Sequence, residues 1–201
     1  MRFNKLLLGI ILTLGLGVFS VNSTEASTLE KGQRLTKEQI SLKIYEINSK
    51  YDINEVISKE DQNFIKIYGT SLFLNKTSFQ ATSPMYTNQK TVAGINTKIS
   101  GDIFYGQTPM ILKMYGGKFI TETFSGNATK ITNNLHYGTY RLDPKEGMVK
   151  ITGGTLSNLC DNGKYCEFSK VGTYAGDFAL AKGEAIIEYP EGTFSIDLVE
   201  N

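Results

Sequence analysis

The sequence predicts a mainly β protein: a β-sandwich or a meander β-barrel preceded by two short N-terminal helices. Three observations predict it. Apolar residues recur at helical spacing between Leu35 and Tyr68, and from Ser71 onward the chain changes to short alternating runs. Glycine, asparagine, aspartate and proline turn signals punctuate those runs about every 8–12 residues, the spacing of an all-β sandwich or barrel. A leader-like stretch ahead of both regions marks where the folded part starts. The expected organisation is a signal peptide over 1–26, a helical segment over 27–70 and an all-β domain over 71–201.

The leader has three parts. Met1 to Lys5 carries two positive charges, Leu6 to Phe19 is an apolar run broken by Thr13 and three glycines, and Ser20 to Ser27 is polar with small residues. That is the layout of a secretory signal peptide, and the apolar run is short for a bilayer span. Cleavage is expected after Ser23 or, preferably, after Ala26, which would make Ser27 the first mature residue. No cysteine follows either point, so no lipid anchor is expected, and no later run reaches the roughly 18 apolar residues of a transmembrane helix. The C-terminal residues Asp197 to Asn201 carry no apolar tail. A secreted, extracellular location follows as the expectation. The lysine- and asparagine-rich composition has a bacterial look.

Of the 21 basic and 20 acidic residues, Arg2, Lys5 and Glu25 fall in the leader, so 19 of each remain. With no basic excess or stripe, nucleic acid is not an expected partner, nor is any strongly anionic one. A remainder of about 175 residues suits one domain with a substantial core.

The helical segment has two starts. Thr36 can cap the first helix, with Gln39 completing a capping box and Leu35 stapling onto Ile40. Ile40, Ile44, Ile47 and Tyr51 then form one apolar stripe. Ser58 caps the second start, with Asp61 at the reciprocal position and Glu60 favouring the dipole. Gly69, just past Tyr68, is placed to end the helix in a left-handed conformation. Asp52 to Ile57 joins the two. Helices this short need something to dock on.

In the β region, roughly nine to eleven strands are expected, with consecutive tight turns favouring a meander. Gly116-Gly117, between Met110–Tyr115 and Lys118–Phe124, reads as a two-residue hairpin loop. It would put Met110, Leu112, Met114 and Phe119 on one face and Lys113 diagonally near Glu122 on the other. Further hairpin turns are expected at Asp143 to Gly147, at Asp161 to Lys164 and at Lys182-Gly183. The last strand, Thr193 to Val199, sets Phe194, Ile196 and Leu198 against Thr193, Ser195 and Asp197. The triplet Gly-Thr-aromatic recurs at Gly138, Gly172 and Gly192, where glycine is read as opening a strand and the aromatic as filling the core.

Little of the chain reads as catalytic. Cys160 and Cys166 bracket the Asp161–Lys164 turn, and in an exported chain they are read as a disulfide stapling the tip of a hairpin. The spacing is not that of a redox Cys-x-x-Cys motif, and one histidine is too few for the usual zinc sets. No metal or other cofactor is expected. That histidine, His136, shares a strand face with Gly138, Tyr140 and Leu142, opposite Tyr137, Thr139 and Arg141. A His-Tyr surface around a glycine could hold a small ligand, although a partly exposed, hydrogen-bonded histidine at a strand start is the plainer reading. A single histidine without a Gly-x-Ser-x-Gly elbow gives no support for a hydrolase triad, and no phosphate-binding glycine loop is present. Carboxylates are scattered singly, so a pair distant in sequence is left as the one hydrolase route. The absence of tryptophan counts mildly against sugar binding.

The Phe79–Ile103 segment is rich in Ser, Thr, Asn and Gln. Within it Ala93, Ile95, Thr97 and Ile99 alternate with Val92, Gly94, Asn96 and Lys98, as in the hairpins of pore formers, though an ordinary half-buried strand has the same pattern. Sequons at Asn75 and Asn127 matter only in a eukaryotic host. The expectation is a small secreted binding or interaction module without a catalytic site, whose partner is an extracellular or cell-surface protein or a small ligand. A membrane-active toxin and a carboxylate-dependent hydrolase are the alternatives.

Overall fold

The computed structural model describes residues 35–71, 86–107 and 113–199. The signal-peptide expectation, the first sequon, the Phe79–Met85 part of the pore-former segment, and Met110 and Leu112 of the Gly116-Gly117 hairpin lie outside the described residues.

Helix α1 spans Lys37–Lys50 and starts as the sequence predicts. The Thr36 hydroxyl accepts from the Gln39 N–H at 3.2 Å, and the Gln39 side chain accepts from the Thr36 N–H at 2.8 Å. Helix α2 spans Lys59–Tyr68, with the Ser58 hydroxyl accepting from the Asp61 N–H. The Ser58 N–H donates to the Tyr51 hydroxyl at 3.1 Å, so the box at this start is not reciprocal. Gly69 does not take the left-handed conformation. Its φ of −73° and ψ of 143° are extended, because the chain runs directly into strand β1 (Thr70–Ser71). A Cβ there would lie 2.3 Å from the Ile65 carbonyl oxygen, and that close approach is what requires glycine.

The remaining strands are β2 (Tyr86–Val92), β3 (Ile95–Gln107), β4 (Lys113–Ser125), β5 (Lys130–Asp143), β6 (Gly147–Cys160), β7 (Tyr165–Tyr174), β8 (Phe178–Tyr189) and β9 (Gly192–Asp197). One antiparallel sheet runs β6-β5-β8, and β1 and β9 both pair with β8, at residues 178–179 and 184–189 respectively. The second sheet runs β2-β3-β4-β7. The two pack face to face as a sandwich; among the described residues they do not close into a barrel. The link between the helices lies along β6, where Ile57 N–H donates to Met148 C=O and Asn54 N–H to Lys150 C=O, each at 2.8 Å.

Several turn expectations are corrected. Gly116-Gly117 is no hairpin loop: β4 runs straight through it, paired with β3 and β7. A Cβ on Gly116 would meet the Phe104 ring and the Lys170 carbonyl at 2.6 Å, so the glycine makes room for a neighbouring aromatic. Lys182-Gly183 likewise lies inside β8, with Gly183 giving space to Leu198. The Asp161–Lys164 turn links two sheets rather than two paired strands, since β6 pairs with β5 and β7 with β4. The chain changes sheet there and again at β4 to β5 and β7 to β8, which makes this a sandwich and not a simple meander. Asp143 to Gly147 does close a hairpin, with Asp143 Oδ1 accepting from the Lys145 and Glu146 N–H groups. Ala93, expected on a strand face, instead forms with Gly94 a two-residue β2–β3 loop in which both φ angles are positive. Of the triplet glycines, Gly192 opens β9, while Gly138 and Gly172 sit inside strands.

Two apolar cores result. Between the sheets, Ile95, Ile99, Phe119, Ile131, Leu135, Phe168, Ile187 and Phe194 come together, with Phe119 and Phe168 stacked at 4.5 Å. The apolar side of the Val92–Ile103 alternation therefore lies in an ordinary sandwich core. The second core lies between the helices and the outer face of the first sheet, where Ile47, Tyr51, Phe64 and Ile65 pack on Tyr140, Met148 and Leu180. Each such fully buried side chain is worth about 1.5–3 kcal/mol, and this packing is what holds helices too short to stand alone.

Polar links tie the layers. Across the sandwich, the Thr121 hydroxyl donates to Asn133 Oδ1 at 2.6 Å and Asn133 Nδ2 donates to the Cys166 carbonyl at 2.9 Å. At one open side, Thr87 N–H, Asn88 Nδ2 and Lys90 Nζ donate to the backbone of Val199, Asp197 and Ser195. At the other, Asn158 Nδ2 donates to the Glu167 carbonyl and Lys170 Nζ to the Ser157 carbonyl. These bonds occupy edge groups that would otherwise invite strand addition.

Candidate functional site at the helix–sheet interface

The described residues converge chemically on the outer face of the first sheet, beside α1. Strand register builds the site. Thr155, His136 and Lys182 lie in one row across β6, β5 and β8, and Ser157, Asn134, Glu184 and Asp197 lie in the next across β6, β5, β8 and β9. Alternation turns all seven away from the sandwich core.

Hydrogen bonds join the rows. His136 Nδ1 lies 2.8 Å from the Thr155 hydroxyl and its Nε2 lies 3.0 Å from Glu184 Oε1. The Lys182 ammonium, only 6% exposed, contacts Glu184 Oε2 at 3.3 Å and Asp197 Oδ1 at 2.8 Å. Helix α1 supplies the lid: the Ser41 hydroxyl donates to Asp197 Oδ2 at 3.2 Å, and the Tyr45 ring meets His136 edge-on and sits 5.3 Å from the Lys182 ammonium. Burial by itself pushes the Glu184 carboxyl up, but the His136 hydrogen bond and the charge of Lys182 outweigh it and hold it down at about 2. Glu184 is thus a carboxylate across the physiological range.

Beside this network opens a cleft of about 170 Å³. Ile40 and Ile44 of α1 line it together with Tyr68, Tyr86, Ile103, Leu180 and Leu198, and Lys37, Ser41 and Lys182 supply its polar groups.

His136 stands where the sequence placed it relative to Gly138 and Tyr140. It lies inside β5 rather than at a strand start, partly buried and hydrogen-bonded on both ring nitrogens. Tyr140 turns into the second core and donates to Asn48 Oδ1 at 2.6 Å, so it does not join His136 in a ligand surface. Thr155, His136 and Glu184 stand in the order hydroxyl, imidazole, carboxylate. Thr155 is exposed on the open strand face, outside the cleft lining. Among the described residues no three metal-ligating side chains converge.

Cys160 and Cys166 form a disulfide. It is not the expected clip across a hairpin tip: it joins the end of β6 in one sheet to the start of β7 in the other, with Cα atoms 5.6 Å apart.

Lys182, Glu184, Asp197, Ser41 and Thr155 escaped the sequence reading. The spacing of Lys182 and Glu184, two residues apart, was the available signal, since it puts both on one strand face. Reading Lys182-Gly183 as a turn concealed it.

No family model matches the chain, and no curated protein matches it. Among solved structures, the "Putative ApaA Protein" from Bordetella pertussis aligns at 12% identity with a TM-score of 0.35, covering 55% of this chain and 94% of that one.

Proposed function

We propose that this chain is an exported binding module that holds a small apolar ligand in the cleft between α1 and the β8–β9 side of the sandwich. The cleft is the single observation that carries the reading. Its lining is mostly aliphatic and aromatic, Lys37, Ser41 and Lys182 add polar groups to it, and the helix that contributes Ile40 and Ile44 is fixed by a core of its own. A cavity of roughly 150 Å³ takes one benzene ring, so a space of this size suits a single ring or a branched aliphatic group. The leader and the disulfide support a location outside the cytoplasm.

Two measurements test this. Titration with indole, benzoate and isobutyrate should move the methyl resonances of Ile40, Ile44 and Leu198 in a saturable way. Ile44→Trp, which fills the cleft, should abolish those shifts while leaving the circular dichroism spectrum intact. Unmoved methyls at millimolar ligand would refute the binding site. Export is read separately, from the N-terminal sequence of protein recovered from the medium, which should begin at Ser27 or Thr24.

A further inference from the structure

We infer that Lys182 and Asp197 are built to condense into an intramolecular isopeptide bond, with Glu184 as the residue that positions the ammonium. This goes beyond the binding reading and does not rest on it. The ammonium of Lys182 and the carboxylate of Asp197 stand 2.8 Å apart on neighbouring strands, and the Glu184 carboxylate touches the same ammonium at 3.3 Å. Strand pairing fixes all three, since Glu184 is the register partner of Asp197 and Lys182 is two residues along the same face. Such enforced proximity replaces a bimolecular encounter with an intramolecular one. Exclusion of water favours a condensation that releases water. Lys182 is 6% exposed, and the Tyr45 ring lies against its ammonium.

The atoms balance without any co-reactant. Asp197 Oδ1, 2.8 Å from the ammonium, takes a proton from it directly, while the Glu184 carboxylate holds the nitrogen in place. The freed amine attacks Cγ, forming the C–N bond. The Ser41 hydroxyl, already donating to Oδ2 at 3.2 Å, steadies the negative charge that develops there. A second proton passes from nitrogen to Oδ1, the C–Oδ1 bond breaks and water leaves. Of the three ammonium protons, two depart with the water and one stays on the amide nitrogen. Glu184 ends as it began, hydrogen-bonded to His136. A buried ammonium and a partly exposed carboxylate become a neutral amide, which relieves the desolvation penalty that the buried ion carries.

The test is the mass of the full chain as produced, denatured and fully reduced so that the disulfide does not contribute. The expected value is lighter than the sequence mass, counted from the observed N-terminus, by one water. Trypsin supplies the location. Within 171–201 the only basic residue is Lys182, so a bonded chain yields 171–201 uncut and lighter by one water, whereas an unbonded chain is cut after Lys182. Lys182→Arg and Asp197→Ala should restore the full mass, and Glu184→Gln should restore it in protein that retains its circular dichroism spectrum. A wild-type chain of full mass cleaved at Lys182 overturns the proposal whatever the variants do. So does a water-loss that persists in Lys182→Arg. Bond formation at the wild-type level in folded Glu184→Gln overturns the positioning role of Glu184.

Discussion

Replacing Asp61 with asparagine tests how the two helices are held together. Asp61 is 1% exposed at the start of α2, yet two residues of α1 and its C-terminal neighbour Tyr51 reach it. Lys50 Nζ lies 2.8 Å from Oδ2 and Lys43 Nζ 3.1 Å from Oδ1, while the Tyr51 hydroxyl donates to Oδ2 at 2.6 Å and that of Ser58 at 3.1 Å. Burial alone raises its carboxyl. The hydrogen bonds from Lys50, Tyr51 and Lys43 outweigh burial and bring it from 3.8 to about 2. At roughly 1.4 kcal/mol per pH unit that difference is worth about 2 kcal/mol, and solvent around the half-exposed Lys50 reduces it to about 1–2 kcal/mol. The folded-state pKa is depressed, so the contribution is fully present above pH 3.8 and is lost as pH falls through about 2. Asp61→Asn keeps the side-chain shape but cannot titrate, and it leaves Lys50 without its carboxylate and Lys43 with Glu46 alone. Urea unfolding near neutral pH should show the variant less stable by about 2 kcal/mol, between the worth of an exposed ion pair and the cost of breaking a fully buried one. Between about pH 4 and pH 2 the wild-type protein should lose about 1–2 kcal/mol more than the variant. Glu184 titrates over the same window in both proteins, so the difference isolates Asp61. Parallel stability curves across that window would refute the reasoning.

Three other outcomes are expected. Lys150 is buried beneath the end of α1 and donates to the Asn48 and Tyr51 carbonyls at 2.6 Å, so Lys150→Met should cost about 2–3 kcal/mol in urea melts and speed hydrogen exchange in the last turn of α1. A Cβ at Gly138 would lie 2.2 Å from Asn48 Oδ1 and 2.6 Å from the Tyr140 hydroxyl; Gly138→Ala should therefore destabilise by about 2 kcal/mol, whereas Gly154→Ala, with its nearest contact at 3.4 Å, should change stability by under about 0.5 kcal/mol. Reduction of the Cys160–Cys166 bond, whose residues are six apart in sequence, should lower stability by about 2 kcal/mol, and thiol titration of the denatured, unreduced protein should detect no free thiol.

The parts legible in the sequence are those fixed by neighbours in the chain. Thr36 and Gln39 announce the first helix because a capping box closes within four residues, and Asp143 to Gly147 announces its hairpin through the aspartate that holds the turn. Phe194, Ile196 and Leu198 fall on the buried side as their alternation requires. Other features depend on partners far along the chain. Gly116 resembles a turn glycine until Phe104 and Lys170 are beside it. The pair Cys160 and Cys166 shows a bond, but not that the bond crosses between sheets. The polar rows of the candidate site are spread over β5, β6, β8 and β9, so no local motif could assemble Lys182, Glu184 and Asp197 with His136.

The position of β8 governs the order in which this chain can become a protein. Its residues 178–189 supply the partner for β1, the inner partner for β5 and the template for β9, and Phe178 and Leu180 complete the floor on which both helices rest. Until those residues emerge, the floor beneath the two helices is incomplete, and closing contacts over such sequence distances is slow. The ribosome would release most of this polypeptide before its first core could form. A chain with that property closes both of its cores only near the end of its synthesis.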